Sequence, residues 1–284
     1  MAPRRADACI RVMDDYRAFF LARPSPPLST FPGFDVGVSI LLDWLHNGFL
    51  GIHLIACGSA LVYLAGQGDF GNPAGGDRKI ILAVRLKRAW QAFCKWARDE
   101  RVGHSQQVFT RASLNVPNAA EWEWPCLKAK AHNAMLIVRW LATRTSTAST
   151  PDAPRPRRLM ARLFWALAEI DHIFARGPQW LEDHHVERVR VARDTLFPAW
   201  VALAADACQE GRAAWGFIPK HHMCEHTLDE CILNRRNPGG FWNFGEEHMM
   251  GESKRATGGN YQPQMGRRIL FHLLSRFGIF VDEP

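Results

Sequence analysis

No two cysteines in this sequence are spaced C-x-x-C, which removes a zinc ribbon and a thioredoxin-like redox site from consideration. The seven cysteines are odd in number and widely spread, and several sit inside apolar helical stretches, the usage of a reducing compartment. The opening MAPRRADACIRVMDDYRAFF carries Asp7, Asp14 and Asp15 and has no long apolar stretch of the signal-peptide kind. The expected location is therefore intracellular, nuclear or cytoplasmic. The glycine-rich stretch GQGDFGNPAGG at 66–76 has neither the G-x-G-x-x-G nor the GK[ST] order of a phosphate loop and reads as a linker. There is no H-E-x-x-H and no internal repeat.

What is present is apolar, aromatic and basic. A hydrophobic fraction of 47% with 11 Trp and 17 Phe excludes a disordered chain. A net charge of +7 and a pI near 9.2 favour polyanionic partners, because Lys and Arg release condensed counterions when they neutralise phosphates. Residues 44–68 contain no Asp, Glu, Lys or Arg, a run long enough to span a bilayer. His46, Asn47 and His53 within it make a buried core helix the expected state, since clustered polar groups are costly in lipid.

Periodicity reads as a mainly α, multi-helical single domain over 1–284. An N-terminal helix and Pro-rich loop occupy 1–35, with Ile10, Met13, Arg17 and Phe20 at helical spacing. A core segment at 36–68 opens with a short strand, 36–40, and continues as a helix to about residue 65. The stretch 77–101 places Leu82, Leu86, Ala89, Trp90, Phe93 and Ala97 on one stripe and Arg85, Arg88 and Lys95 mostly off it, an amphipathic basic helix. Residues 102–125 look irregular, and a helix is expected from about 126 to 144. The Ser/Thr/Pro-rich segment 143–158 reads as a mobile surface loop. Helices resume over 159–174 and 179–209, the second bent at Pro198. Short apolar runs such as FWNF are the remaining strand candidates.

Two constellations carry chemistry. In PKHHMCEHTLDEC, His222 and His226 lie four apart, so a helix would present both imidazoles on one face as metal ligands, with Cys224 or Glu225 nearby. Separately, Asp43 opens DWLHNGFLGI, and Glu246, Glu247 and Glu252 fall in FWNFGEEHMMGESKR. Read structurally, Asp43 would cap the helix beginning at Trp44, and Glu246 and Glu247 would sit at a helix N-terminus.

The pattern D-x-[LM]-H-x-x-x-L-G, fitted by Asp43, His46, Leu50 and Gly51, resembles the segment around the second catalytic aspartate of large eukaryotic DDE-type transposases of the Plavaka and Kyakuja-Dileera-Zisupton groups. The later P-K-x-H-x-x-x-H and E-x-M-x-G motifs are matched in order by Pro219, Lys220, His222, His226, Phe241, Trp242, Glu247, Met249 and Gly251. The resemblance implies an RNase H-like core, of which a few short strands would be left, a helical insertion over 77–210, and a His motif with a final acidic helix over 217–280. It also implies a metal site of Asp43, Glu246 and Glu247 holding Mg²⁺ for two-metal phosphoryl transfer if the protein is active, with Asp43 and Glu247 as catalytic carboxylates. Asp14 and Asp15 sit in a helical pattern and Asp35 is too close, so the first carboxylate of the set is unmatched and a catalytically incomplete remnant is expected.

Nucleic acid is the expected partner, contacted by Arg85, Arg88 and Lys95 on the basic helix and by Lys254, Arg255, Arg267 and Arg268. The alternatives are a structural or interaction subunit of a larger assembly, whose Trp and Phe contact proteins, and a metal-dependent hydrolase using the His222 and His226 face. A membrane is disfavoured as a partner.

Overall fold

The computed structural model describes residues 42–73, 75, 77–116 and 124–242. The chain divides into two compact units, Met1–Leu42 and Asp43–Pro284, and everything below concerns the second. It is mainly helical. A π-helical segment, Leu45–Ile52, runs directly into α1 (His53–Gln67); α2 (Arg78–Asp99), α3 (Ala131–Thr147), α4 (Arg155–Arg176), α5 (Asp183–Gln209) and α6 (Pro219–Asn234) follow. Short 3₁₀ turns occupy Ala112–Leu114 and Pro238–Gly240. Among the described residues there is one isolated antiparallel bridge, Trp180 with Arg236, and no longer strand. The strand expected at 36–40 and the helix at 6–22 lie outside the described residues, as does most of FWNF.

Helices α4 and α5 form the most extensive pair, α3 packs on α4, and α5 meets α6. The π segment lies against α1, α3 and α6, so it sits inside the assembly of helices. Leu45–Gln67 is long and apolar enough to cross a membrane by length and composition, yet 78% of that window is buried within the protein. It is a core element, as its polar insertions led us to expect. Helix α2 starts where Asp77 accepts from the Lys79 amide at 3.2 Å and buries Leu86, Ala89, Phe93 and Ala97, the expected stripe. Pro198 lies within α5, which continues through it.

Three expectations are corrected. The 143–158 segment is mostly helical, with 148–154 alone connecting α3 to α4. Its threonines are accommodated because Thr143, Thr145 and Thr147 donate their hydroxyls to carbonyls four residues back, at 3.2, 2.7 and 3.1 Å. At the other end, Pro154 caps α4 and Pro156 occupies its first turn, where a missing N–H costs nothing. Helix α3 begins at Ala131 rather than 126, because the Cys126, Leu127 and Lys128 amides bond across to Leu114, Leu54 and Ser113 carbonyls. Finally, the glycine-rich stretch after α1 is not a plain linker. Arg85 donates to the carbonyls of Ala65 (2.8 Å), Gly66 (2.9 Å) and Gly71 (3.2 Å), covering the acceptors left at the helix end.

Candidate functional site where the motif segments meet

Asp43 does what a short carboxylate before a helix does. Its Oδ1 accepts from the Leu45 amide at 3.0 Å, its main-chain carbonyl accepts from the Asn47 amide at 3.1 Å, and its Oδ2 pairs closely with His46 Nδ1. The carboxylate is 14% exposed. It is thus a carboxylate braced by a main-chain amide and an imidazole.

Directly beneath it is a buried polar network that sequence reasoning missed. Trp44, with no exposed surface, donates Nε1–H to Asp171 Oδ1 at 3.1 Å, and the equally buried His53 places Nε2 2.8 Å from Asp171 Oδ2. Asp171 itself is 2% exposed. Trp44 also meets Phe174 edge-on at 5.2 Å, and Phe49 meets His53 at 5.2 Å. One signal could have found Asp171: it falls on the apolar stripe of α4 formed by Leu163, Phe164, Leu167, Ile170 and Phe174, where an unpaired acid would be costly.

The glycines of this segment have separate reasons. A Cβ on Gly48 would stand 2.6 Å from the Trp44 indole. A Cβ on Gly51 would stand 2.8 Å from Cδ of Lys220, whose stem lies across it. At Leu50 and Gly51 the backbone leaves helical angles (φ −93, ψ 17 and φ −129, ψ −105), and the Leu50 carbonyl exposed by that break accepts from Lys220 Nζ at 2.9 Å. The first motif and the P-K-x-H motif, 170 residues apart, are therefore locked together at a kink. Trp242 of the third segment meets Phe49 at 5.8 Å.

Helix α6 presents the two histidines as their spacing predicts. His222 and His226 meet edge-on with ring centroids 4.1 Å apart and their Nε2 atoms 2.9 Å apart, a direct imidazole–imidazole hydrogen bond. Burial, then the neighbouring His222, lowers the His226 pKa, favouring the neutral, ligand-competent form. In this arrangement the two Nε2 atoms are engaged with each other, and to hold a borderline metal such as Zn²⁺ together they would have to give up that bond. Cys224 does not join them: it points inward, fully buried, and burial followed by the Asp171 charge pushes its thiol well above the ordinary value, with Lys220 opposing. Among the described residues the three-ligand group within reach of one ion is Glu182, His184 and His185, at the start of α5, and not the His222 and His226 pair. His221, the variable position of P-K-x-H on the first turn of α6, is buried against Trp200 at 4.4 Å and Phe217 at 5.1 Å. Burial drops its pKa to about 4.

Of the nucleic-acid candidates on α2, Arg85 is spent on the α1 end, Arg88 reaches the Phe70 carbonyl at 3.4 Å, and Lys95 pairs with Asp99 at 2.7 Å in full solvent. Glu246, Glu247, Lys254, Arg255, Arg267 and Arg268 lie outside the described residues, and so does the expected approach of Asp43 to the glutamate pair. No protein-family model, curated protein or solved structure matches the chain.

Proposed function

We propose that this is a transposase-derived protein that binds nucleic acid through its basic helical surface and retains the neighbourhood of a two-metal site without a full catalytic set. The observation that carries the reading is the lock between Lys220 and the Leu50–Gly51 kink. Residues matched to two family motifs meet there in direct contact, and the Phe49–Trp242 contact brings in the third segment. Asp43, braced by His46, would hold Mg²⁺ together with Glu246 and Glu247. When bound, that ion supplies Lewis-acid activation of a phosphoryl centre. Two of the three carboxylates that the resemblance calls for are matched in the sequence.

On this reading the phosphate-contacting cations of α2 are the exposed Lys87, Arg88 and Lys95, with Arg85 acting as a helix cap. The test is fluorescence anisotropy of a labelled duplex over a salt series, for native protein and the Lys87→Gln/Arg88→Gln/Lys95→Gln variant. Each lost phosphate contact lowers the log–log salt slope by about 0.9, so the triple variant should lose up to about three units of slope. No binding at low salt, or an unchanged slope, would remove the nucleic-acid reading. An interaction subunit would then be favoured, by the exposed Trp180 (62%), Phe217 (52%) and Leu233 (68%).

A further inference from the structure

The turn after α1 gathers more positive charge than its own folding uses. Four arginines from three helices converge on residues 65–71. Arg85 holds the Ala65, Gly66 and Gly71 carbonyls and Arg88 reaches that of Phe70. Arg144 Nη2 donates to the Asp69 carbonyl at 2.8 Å while its guanidinium lies 4.3 Å over the Phe70 ring, and Arg157 Nη2 donates to Asp69 Oδ2 at 2.7 Å. The Asp69 carboxylate answers one of these four charges.

Beside Asp69 the ends of α1, α3 and α4 line an open pocket of about 180 Å³. Leu64 and Met160 form its apolar floor, and Asp69, Arg144, Arg157 and Thr147 its polar wall. Arg144 lines the pocket, and its Nε is buried without a hydrogen-bond partner among the described residues. A buried N–H of a charged group left unpaired is expensive, and an acceptor from outside would relieve it. Burial lowers the Arg144 pKa, with Asp69 opposing and Arg157 adding a smaller push in the same direction.

We infer that this pocket is a phosphate-binding site, with the Arg144 and Arg157 guanidinium groups that line it donating to the phosphate oxygens. Two guanidinium groups and one carboxylate leave a formal charge of +1, matched to a singly charged phosphate group such as a phosphodiester. Planar guanidinium forks are suited to tetrahedral oxyanions. The pocket is separate from the Asp43 and His222 segments, so the inference stands or falls independently of the metal-site reading. The shared chemistry has two sources, a nucleic-acid backbone or free phosphate, and the experiment separates them.

The intact chain is titrated calorimetrically with inorganic phosphate in chloride buffer of matched ionic strength. The variants are Arg157→Gln, Thr147→Glu (a carboxylate placed at the exposed rim of the pocket), and Arg190→Gln as a charge-loss control remote from it. Loss of a charge-assisted contact should weaken phosphate binding about tenfold or more in the first two. Arg190→Gln should bind as the native protein does. Should Arg157→Gln fail to fold, Thr147→Glu decides, its fold checked by circular dichroism. Absence of phosphate-specific heat in the native protein, native-like binding by Thr147→Glu, or equal weakening in Arg190→Gln would overturn the inference. If duplex affinity falls in step with phosphate affinity in Thr147→Glu, the pocket takes a backbone phosphate. If phosphate binding is lost and duplex affinity is unchanged, the pocket stands as a site for free phosphate. If phosphate binds and no duplex does, the pocket stands and the nucleic-acid reading fails.

Discussion

Replacing Asp171 with alanine removes the acceptor shared by Trp44 Nε1–H and His53, both without exposed surface. Each buried donor left unpaired costs about 1–3 kcal/mol. With two donors stranded, the expected loss is about 2–6 kcal/mol. For a domain of this size that corresponds to a fall of roughly 4–24 °C in Tm. Asp171→Asn keeps the shape and one carbonyl acceptor, and its amide can donate to a His53 nitrogen in the other tautomer. It should therefore cost about 1–2 kcal/mol. Urea unfolding followed by tryptophan fluorescence and far-UV circular dichroism measures both, with an unchanged m value as the sign that the native fold persists. Alanine at 171 costing less than about 1 kcal/mol would refute the view that this network holds the π segment in place.

Gly48→Ala, which drives a methyl into the buried indole of Trp44, should cost about 1–3 kcal/mol, and Gly51→Ala less, because the atom it meets belongs to the flexible Lys220 stem; denaturant midpoints compare them. His221 titrates at about 4 in the fold against 6.5 ordinarily, so between those values the native state binds fewer protons than the unfolded one. Its contribution is complete above the ordinary value and is lost as pH falls toward 4. The loss is up to about 3 kcal/mol, and His221→Phe should flatten that part of the stability–pH curve. Arg85→Gln should cost about 1–2 kcal/mol by uncovering the carbonyls at the end of α1, and amide exchange across Gly68–Gly71 should quicken.

The helices were largely legible because burial imposes a 3.6-residue stripe. The basic helix read over 77–101 spans Arg78–Asp99, and the one read over 159–174 spans Arg155–Arg176. Composition misled where side chains could satisfy the backbone in more than one way. Threonines that suggest a loop bond back to helix carbonyls in α3, and glycines that suggest a linker are clasped by Arg85. The capping role of Asp43 followed from its type and place, and the His222–His226 pair followed from its spacing. The Lys220–Leu50 lock did not, because it depends on a backbone break at Leu50 and Gly51 and on a partner 170 residues away. Asp171 was hidden for a related reason: its partners, Trp44 and His53, lie on other elements, 127 and 118 residues distant.

The proposed function makes Asp43 and Glu247 ligands of one metal site. The most direct measurement is Mn²⁺ binding, read by the electron paramagnetic resonance of free ion, for native protein, Asp43→Asn, Glu247→Gln and the double variant. A shared site predicts that each single substitution weakens binding by about tenfold or more and that the double variant loses little beyond the weaker-binding single, the non-additivity of coupled positions. Mn²⁺ affinity unchanged in both single variants, or losses that simply add, would contradict it.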